Sequence, residues 1–402
     1  MSVTFKEWVI KLLAIFVTLT VCVVRFNIAI GLLMNGFLLF ICVLWSIFCH
    51  KQSSLVSEDI KGYFKAFVFY LLCIVPSVLF SEKLVRSFLM LLFALFQYGC
   101  FAAIILLIRR KKYLFGMLTA FFVFSGFDCL WALFQLVTGH ALDNRGYGFG
   151  GKLLFIADIM CVLLPIALVI LMDTKFEFEK NLRKSAAFAT LCIIIGLLCN
   201  KSRGAWLTEL IIVPIASFRY LKQNRKYLII FVFVLLGMVG YMASNPQYVE
   251  RIYSITNTTT DHSNADRIWT WKSAKNMIQD YPITGTGFGL FDDFYEQGYK
   301  FEQETQNLPH THNNFIQVTV ETGVIGLAGF LYFVGYFLCT SLRNYRDTSN
   351  PYDLLLFVVF LAHVCLFGQI DYTIWNSGMQ PFFLFLLAIL LCLKETDTNK
   401  HA

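Results

Sequence analysis

The chain has 402 residues, 57% hydrophobic and 15% charged, with a formal net charge of +7 and a mean hydropathy of +0.64. Soluble domains carry about 25% charged residues, so this composition excludes an ordinary soluble enzyme and points to an integral membrane protein. The basic excess is scattered over several connecting segments, with no basic recognition helix, which excludes nucleic acid as its partner.

A spanning helix needs about 20 apolar residues, because lipid offers no partner for backbone N–H and C=O groups. Apolar runs of about that length predict twelve spans, at 7–24, 28–49, 64–80, 87–108, 113–137, 153–172, 185–199, 205–218, 227–243, 323–340, 354–369 and 379–393. The first run is followed by "RFN" and not by a small-residue cleavage site, so it reads as a retained span. An even number of spans puts both termini on one side. The basic runs "RRKK" (109–112), "KNLRK" (180–184) and "RYLKQNRK" (219–226) fall on that side, which the bias of Lys and Arg makes cytoplasmic. Connections there are too short for a nucleotide-binding domain, which argues against an ATP-driven pump. Nearly all twelve cysteines lie inside spans, so no disulfide framework is expected. The chain then divides into spans 1–9 (1–243), one long outer loop (244–322), and spans 10–12 with a tail (323–402).

Along the outer side, "CNKSRGAWL" (199–207) joins two runs of 15 and 14 residues. At about 1.5 Å per residue these fall short of a hydrocarbon core of about 30 Å, so the turn carrying Arg203 is expected to dip towards the headgroups. An arginine there either meets an anion or snorkels with Lys201. Asp158 and Glu209, on the outer halves of their spans, are placed to orient arginines, with Asp128 similarly placed. Such intramembrane carboxylates also suit ion or proton transport.

In the long loop, "NADRIWTWKSAKNMIQDYP" (264–282) reads as an amphipathic helix with Ile268, Trp271, Met277 and Ile278 apolar, and Arg267 and Trp271 on one face. "PITGTGFGL" carries Gly285, Gly287 and Gly289. No Lys-Ser/Thr follows, so these are turn glycines and not a phosphate loop. The stretch "LPHTHNNFIQVTVETGVIGL" (308–327) then sets His310 and His312 at the mouth of a hydrophobic run. A metal would need further ligands, for which Asp292 and Asp293 are a weak offer. Capping or hydrogen bonding at the start of the tenth span is the alternative for either histidine.

"SRGAW" after a seventh span, an Arg-x-x-x-Trp helix, a P-x-x-G-x-G-x-G turn and "HNNFIQVTVETGVIGL" running into a span together resemble the O-antigen ligases of the polysaccharide ligase/polymerase superfamily, in the right order along residues 150–340. The resemblance implies an all-α polytopic membrane protein of about twelve transmembrane helices, with a helical periplasmic loop between spans 9 and 10. It implies transfer of O-antigen from an undecaprenyl-diphosphate carrier to the lipid A-core acceptor, at the periplasmic face of a Gram-negative inner membrane, without metal, nucleotide or other cofactor. The family's essential arginines and histidine fall on Arg203, Arg267 and His312. "HTH" offers two histidines, and His312 is chosen because it directly precedes Asn313. Trp206, Trp271, His310, Asn313 and Asn314, with the two arginines, are expected to line the substrate.

Those positions have a chemical rationale. Cationic groups stabilise the charge that grows on a departing diphosphate, and a histidine has the acidity suited to deprotonating an attacking hydroxyl near neutrality. A polymerase adding the same donor to another lipid-linked glycan is the nearest alternative. A transporter or flippase is the more distant one, since the halves lack the internal symmetry it would be expected to show.

Overall fold

The computed structural model describes residues 3–48, 58–176 and 178–401. Ten helices appear first: α1 (Val3–Phe26), α2 (Ile28–Phe48), α3 (Glu58–Leu79), α4 (Leu84–Phe96), α5 (Gly99–Leu107), α6 (Lys111–Val137), α7 (Leu153–Met172), α8 (Lys180–Asn200), α9 (Arg203–Gln223) and α10 (Arg225–Ser244). The long connection after α10 holds α11 (Pro246–Tyr253), α12 (His262–Asp280), α13 (Phe291–Phe294) and a π turn at Tyr295–Tyr299. The chain returns through α14 (Asn314–Thr348), α15 (Pro351–Phe360) and α16 (Gln380–His401). Among the described residues no strand forms beyond an isolated bridge between Leu142 and Arg145.

This is an all-α, multi-pass membrane protein. Ten of the described helices, counting α15 with its continuation to Gln369, are long and apolar enough to cross a bilayer; α4 and α5, bent by 43° at their junction, make an eleventh. The last expected run, 379–393, forms the first part of α16. Buried among α8, α9 and α15, α7 is apolar on every side except at Asp158. α10 buries no residue, so its apolar surface is left for lipid.

The two spans expected to be short are not. Both α8 and α9 have 21 residues, about 31 Å at 1.5 Å each. The basic ends "KNLRK" and "RYLKQ" continue the helices because Lys and Arg stems can lie along apolar surface while their heads reach water. Arg203 is therefore not drawn inwards by a short span. It is the first residue of α9, entered through left-handed Lys201 (φ 51) and capped by Ser202, whose hydroxyl accepts from Ala205 N.

This connection has its own small core of Ala274, Met277, Leu290, Phe291, Phe294, Tyr295 and Val320. It is stitched to the bundle at a break in α14. The expected tenth span at 323–340 starts earlier, at Asn314, because Asn313 caps Phe315 N and Ile316 N. The helix is interrupted at Gly323 (φ 61, ψ −166). There the 282–287 turn docks edge-on: Thr286 N donates to Val320 O, Gly287 N to Glu321 O and Val324 N to Pro282 O. Gly285, Gly287 and Gly289 all take positive φ, as turn glycines do.

A Cβ on Gly323 would sit 2.2 Å from Ile283 O. Gly323→Ala should therefore cost about 1–3 kcal/mol for backbone strain and more for the clash. Gly335→Ala, with open space around it, should be neutral or better. Thermal unfolding of the two purified variants checks this, and equal midpoints would refute the docking account.

Candidate active site

One end of the bundle carries a cavity of about 660 Å³ lined by Arg145, Lys152, Arg203, Arg251, Arg267, His310, His312 and Asp371, among others. These residues come from the 138–152 connection, the start of α9, α11, α12, the histidine turn and the segment after Gln369. Chain direction brings all of these to the same end of the bundle, because each follows or precedes a helix that crosses it.

The histidine turn is built by side chains on three elements. Trp271 Nε1 donates to Thr311 O at 2.8 Å, so the Arg-x-x-x-Trp face of α12 places Arg267 over the cavity and pins the turn. Thr311 N donates to Gln317 Oε1 at 2.7 Å. His312 is left-handed, with φ 51, a strained conformation of the kind found at functional sites. Its Nδ1 lies 2.8 Å from Asp371 Oδ1, and Asp371 also accepts from Tyr372 N. Nδ1–H donated to the carboxylate leaves Nε2, which has no partner among the described residues, as the proton acceptor. His310 packs beside His312 with its ring tilted, ring centroids 4.2 Å apart, and its Nδ1 accepts from His312 N.

Burial alone would raise the Asp371 carboxyl, but His312, then His310 and Arg267, hold it below its ordinary value. Burial, with His312 beside it, pushes His310 down to about 3 against the pull of Asp371. His310 is thus a neutral ring bracing His312. The three could grip a divalent ion by geometry, since their ligand atoms lie within 4.8 Å of one another. The nearby Arg267, which makes no hydrogen bond or ion pair to any described residue, opposes a cation there.

Arg203 is in a different state. Its Nη1 donates to Ser254 O (2.7 Å), Ser254 Oγ (2.7 Å) and Asp261 Oδ2 (2.9 Å), and its Nη2 to Asp261 Oδ1 (3.2 Å) and Asn264 Oδ1 (3.0 Å). Asp261 is also the N-cap of α12, accepting from Asn264 N. Arg203 thus clamps α12 to α9, with Asp261 where a phosphate oxygen was expected. Burial, together with the surrounding guanidinium groups, lowers Arg267 and Arg251 from the usual arginine range.

Several expected neighbours do not face the cavity. Asn314 is fully buried, donating to Val364 O and Thr373 Oγ1 and accepting from Thr373 N; Asn313 caps α14 and donates to Gln369 Oε1. Trp206 donates to Leu197 O and lies against Tyr248. The intramembrane carboxylates do not orient the arginines of the cavity. Asp158 pairs with His363 at 2.9 Å, Asp128 with Arg25 at 2.8 Å, and Glu209 is buried with neither oxygen hydrogen-bonded. Asp293, offered as a metal ligand, pairs with Arg86 instead.

The family model described as O-antigen ligase matches residues 188–331, the stretch that carries Arg203, Arg267 and His312. Residues 188–331 are thus similar to the O-antigen ligase family. Similar proteins extend the likeness: an uncharacterized protein of Haemophilus influenzae is 22% identical over 379 residues, 85% of this chain and 88% of its own length. A protein named "Putative polysaccharide ligase" in Rickettsia typhi is 24% identical over 307 residues, 73% of this chain and 69% of its own. One of the same name in Rickettsia felis is 25% identical over 301 residues, with shares of 72% and 68%.

Asp371 and Arg145 lie outside the O-antigen ligase stretch, and the sequence reading passed over both. Asp371 had a signal: it is the one acidic residue in the connection between the last two apolar runs, on the same side as the histidines. Arg145, in "DNRGYGFGG", sits among turn residues that also mark an ordinary loop.

The depressed His310 sets a sign for pH dependence. The folded chain excludes a proton that the unfolded chain takes up near pH 6.5, so this part of stability is complete above 6.5 and lost as pH falls towards about 3. The slope from one proton is at most about 1.4 kcal/mol per pH unit. His310→Asn should flatten the fall of the unfolding temperature between pH 6.5 and 4; an unchanged profile would mean that His310 is protonated in the fold.

Proposed function

We propose that the protein is a glycosyltransferase that moves O-antigen polysaccharide from undecaprenyl diphosphate to the lipid A-core oligosaccharide, at the periplasmic face of a Gram-negative inner membrane with both termini cytoplasmic. The family match and the relatives' names support a ligase- or polymerase-type function. The observation that carries the mechanism is the His312–Asp371 pair facing an unpaired Arg267 across one cavity.

In this reading an acceptor hydroxyl oxygen attacks the anomeric carbon of the donor. Its proton passes to His312 Nε2, while Asp371 holds the ring through Nδ1 and stabilises the imidazolium that forms. The bond from the anomeric carbon to the diphosphate breaks with its electron pair on the departing phosphate oxygen, towards which Arg267 supplies positive charge. Attack opposite the leaving group inverts the carbon. The base stands where a polar loop enters an apolar helix because a lipid-linked diphosphate is tethered at that depth.

The segment after Gln369 supports such a donor. Asp371 and Asn376 line the polar cavity, whereas Ile374 and Trp375 line a second cavity of about 620 Å³ walled by Phe67, Phe333, Phe337, Phe360 and Phe383. That aromatic and aliphatic lining suits an isoprenoid chain and no polar ligand.

Deletion in living cells should leave lipid A-core bare while polymer accumulates on the carrier. The intact protein should restore capping, and His312→Ala or Asp371→Asn should not, with protein levels unchanged. Core capped with a single repeat unit would instead assign the polymerase reaction.

The charge of the cavity gives a second expectation. With Arg267 and Lys152 beside the histidines, the diphosphate is neutralised by side chains, so transfer by purified protein should survive thorough chelation. Loss of activity that added divalent ion restores would return His310, His312 and Asp371 to a metal site.

A further inference from the structure

The cavity holds more positive charge than the mechanism above uses. Arg145, Lys152, Arg203, Arg251 and Arg267 line it together with Asp371, and Arg203 is already neutralised by Asp261 at 2.9 Å. Of the remaining guanidinium groups, two share a platform. Arg145 Nε donates to Asn200 O at 2.9 Å, and Arg251 Nε donates to Lys201 O at 3.4 Å. These are consecutive carbonyls of one turn, held open by the left-handed Lys201. Neither arginine makes a hydrogen bond through its Nη groups or an ion pair with any described residue.

The platform is itself fixed from below. Asn200 is fully buried, and its amide donates to Gly146 O (2.8 Å) and Leu153 O (3.0 Å), while Gly146 N donates to Cys199 O. The 138–152 connection that carries Arg145 is thereby bolted to the end of α8. Gln135 holds the same connection at Tyr147 N and Gly148 N, and Asp128 holds it at Phe149 N. Many buried polar groups thus hold two arginines side by side; burial disfavours the charge of both, Arg145 is further opposed by Arg251 and Arg251 by Arg203, and Asp143 offsets part of this. An anion placed between them relieves both costs.

We infer that Arg145 and Arg251 form the lipid-side half of a diphosphate cradle, with Arg267 as its sugar-side half and Arg203 as a positioning residue that sets α12 against them. The inference rests on the lipid-diphosphate donor proposed above. Arg267 is the guanidinium that Asp371 and His310 sense, so it belongs next to the reacting carbon. Arg145 and Arg251, anchored side by side on the carbonyls of Asn200 and Lys201 and lining the same cavity as Arg267, belong one phosphate further on. A sugar-lipid diphosphate carries about two negative charges and the released lipid diphosphate about three, so forks at the far phosphate stabilise the product side of bond cleavage. The "SRGAW" turn accordingly acts through the carbonyls just before it, which hold arginines from two other segments.

The test uses the full-length protein in lipid nanodiscs, inorganic pyrophosphate as the probe and calorimetric titration as the readout. Wild type should bind pyrophosphate at least about tenfold more tightly than orthophosphate. Arg145→Gln and Arg251→Gln should each weaken pyrophosphate binding about tenfold, the range for one charge-assisted hydrogen bond. Arg145→Lys and Arg251→Lys keep charge and anchoring reach but lose the fork, and should fall between wild type and the Gln variants. Unfolding temperatures measured alongside separate lost binding from lost structure; if a Gln variant does not fold, the Lys variant decides. Pyrophosphate held with wild-type affinity by Arg145 and Arg251 variants, but lost in Arg267→Gln, would overturn the cradle and leave the donor assignment standing. Transfer from a lipid-linked glycan, assayed on the same samples, reports on the donor separately: wild type that binds pyrophosphate through Arg145 and Arg251 yet transfers nothing would keep the anion site and overturn the donor.

Discussion

Arg203 and Asp261 meet in a bidentate ion pair at the end of the bundle, and Asp261 is at the same time the N-cap of α12. A single carboxylate therefore fixes where α12 begins and where it stands relative to α9. Since Arg267 and Trp271 are carried on α12, their heights over the cavity follow from that one contact. Trp271 then fixes Thr311, and through it the turn that strains His312 into a left-handed conformation. Removal of one partner of a mostly buried pair leaves an uncompensated charge, so the geometry of the whole loop between α10 and α14 is tied to it.

The same loop is fastened a second time at Gly323, where α14 loses its regular hydrogen bonds and takes those of the 282–287 turn. A helix break in a membrane protein is tolerated where other backbone satisfies the freed groups, and the glycine turn does so here. Two fastenings on either side of the histidines leave the turn little freedom. That suits the proposed base, whose ring would have to meet both substrates at one point.

Charge is handled differently at the two levels of the protein. Within the spans, Arg25–Asp128 and His363–Asp158 are paired and almost fully buried, and they hold elements together. In the cavity, cations outnumber anions, and the Nη groups of Arg145, Arg251 and Arg267 make no hydrogen bond to any described residue, the field that the proposed diphosphate site relies on. The segment between Gln369 and α16 divides the polar chamber from an aromatic one, presenting Asp371 to the first and Trp375 to the second.

The sequence determined the class of protein and the order of its parts. Long apolar runs leave helices as the only way to satisfy the backbone in lipid, so the spans, the long loop between α10 and α14 and the helix α12 could be read directly, although α12 buries Asp266, Thr270, Ser273 and Ala274 and, of the expected apolar face, only Met277. Local chemistry was legible too: the glycine turn, the face shared by Arg267 and Trp271, and His312 at the head of a span. Helix ends at Lys180 and Gln223 were not, because snorkelling lysines and arginines look like loop. Only the tertiary structure decided partners. Asp371 meets His312 across 59 residues, Asp261 takes the fork of Arg203 across 58, and Arg145 and Arg251 come together on the carbonyls of Asn200 and Lys201. Which carboxylate neutralises which arginine is set by how helices pack in three dimensions, and no spacing along the chain encodes it.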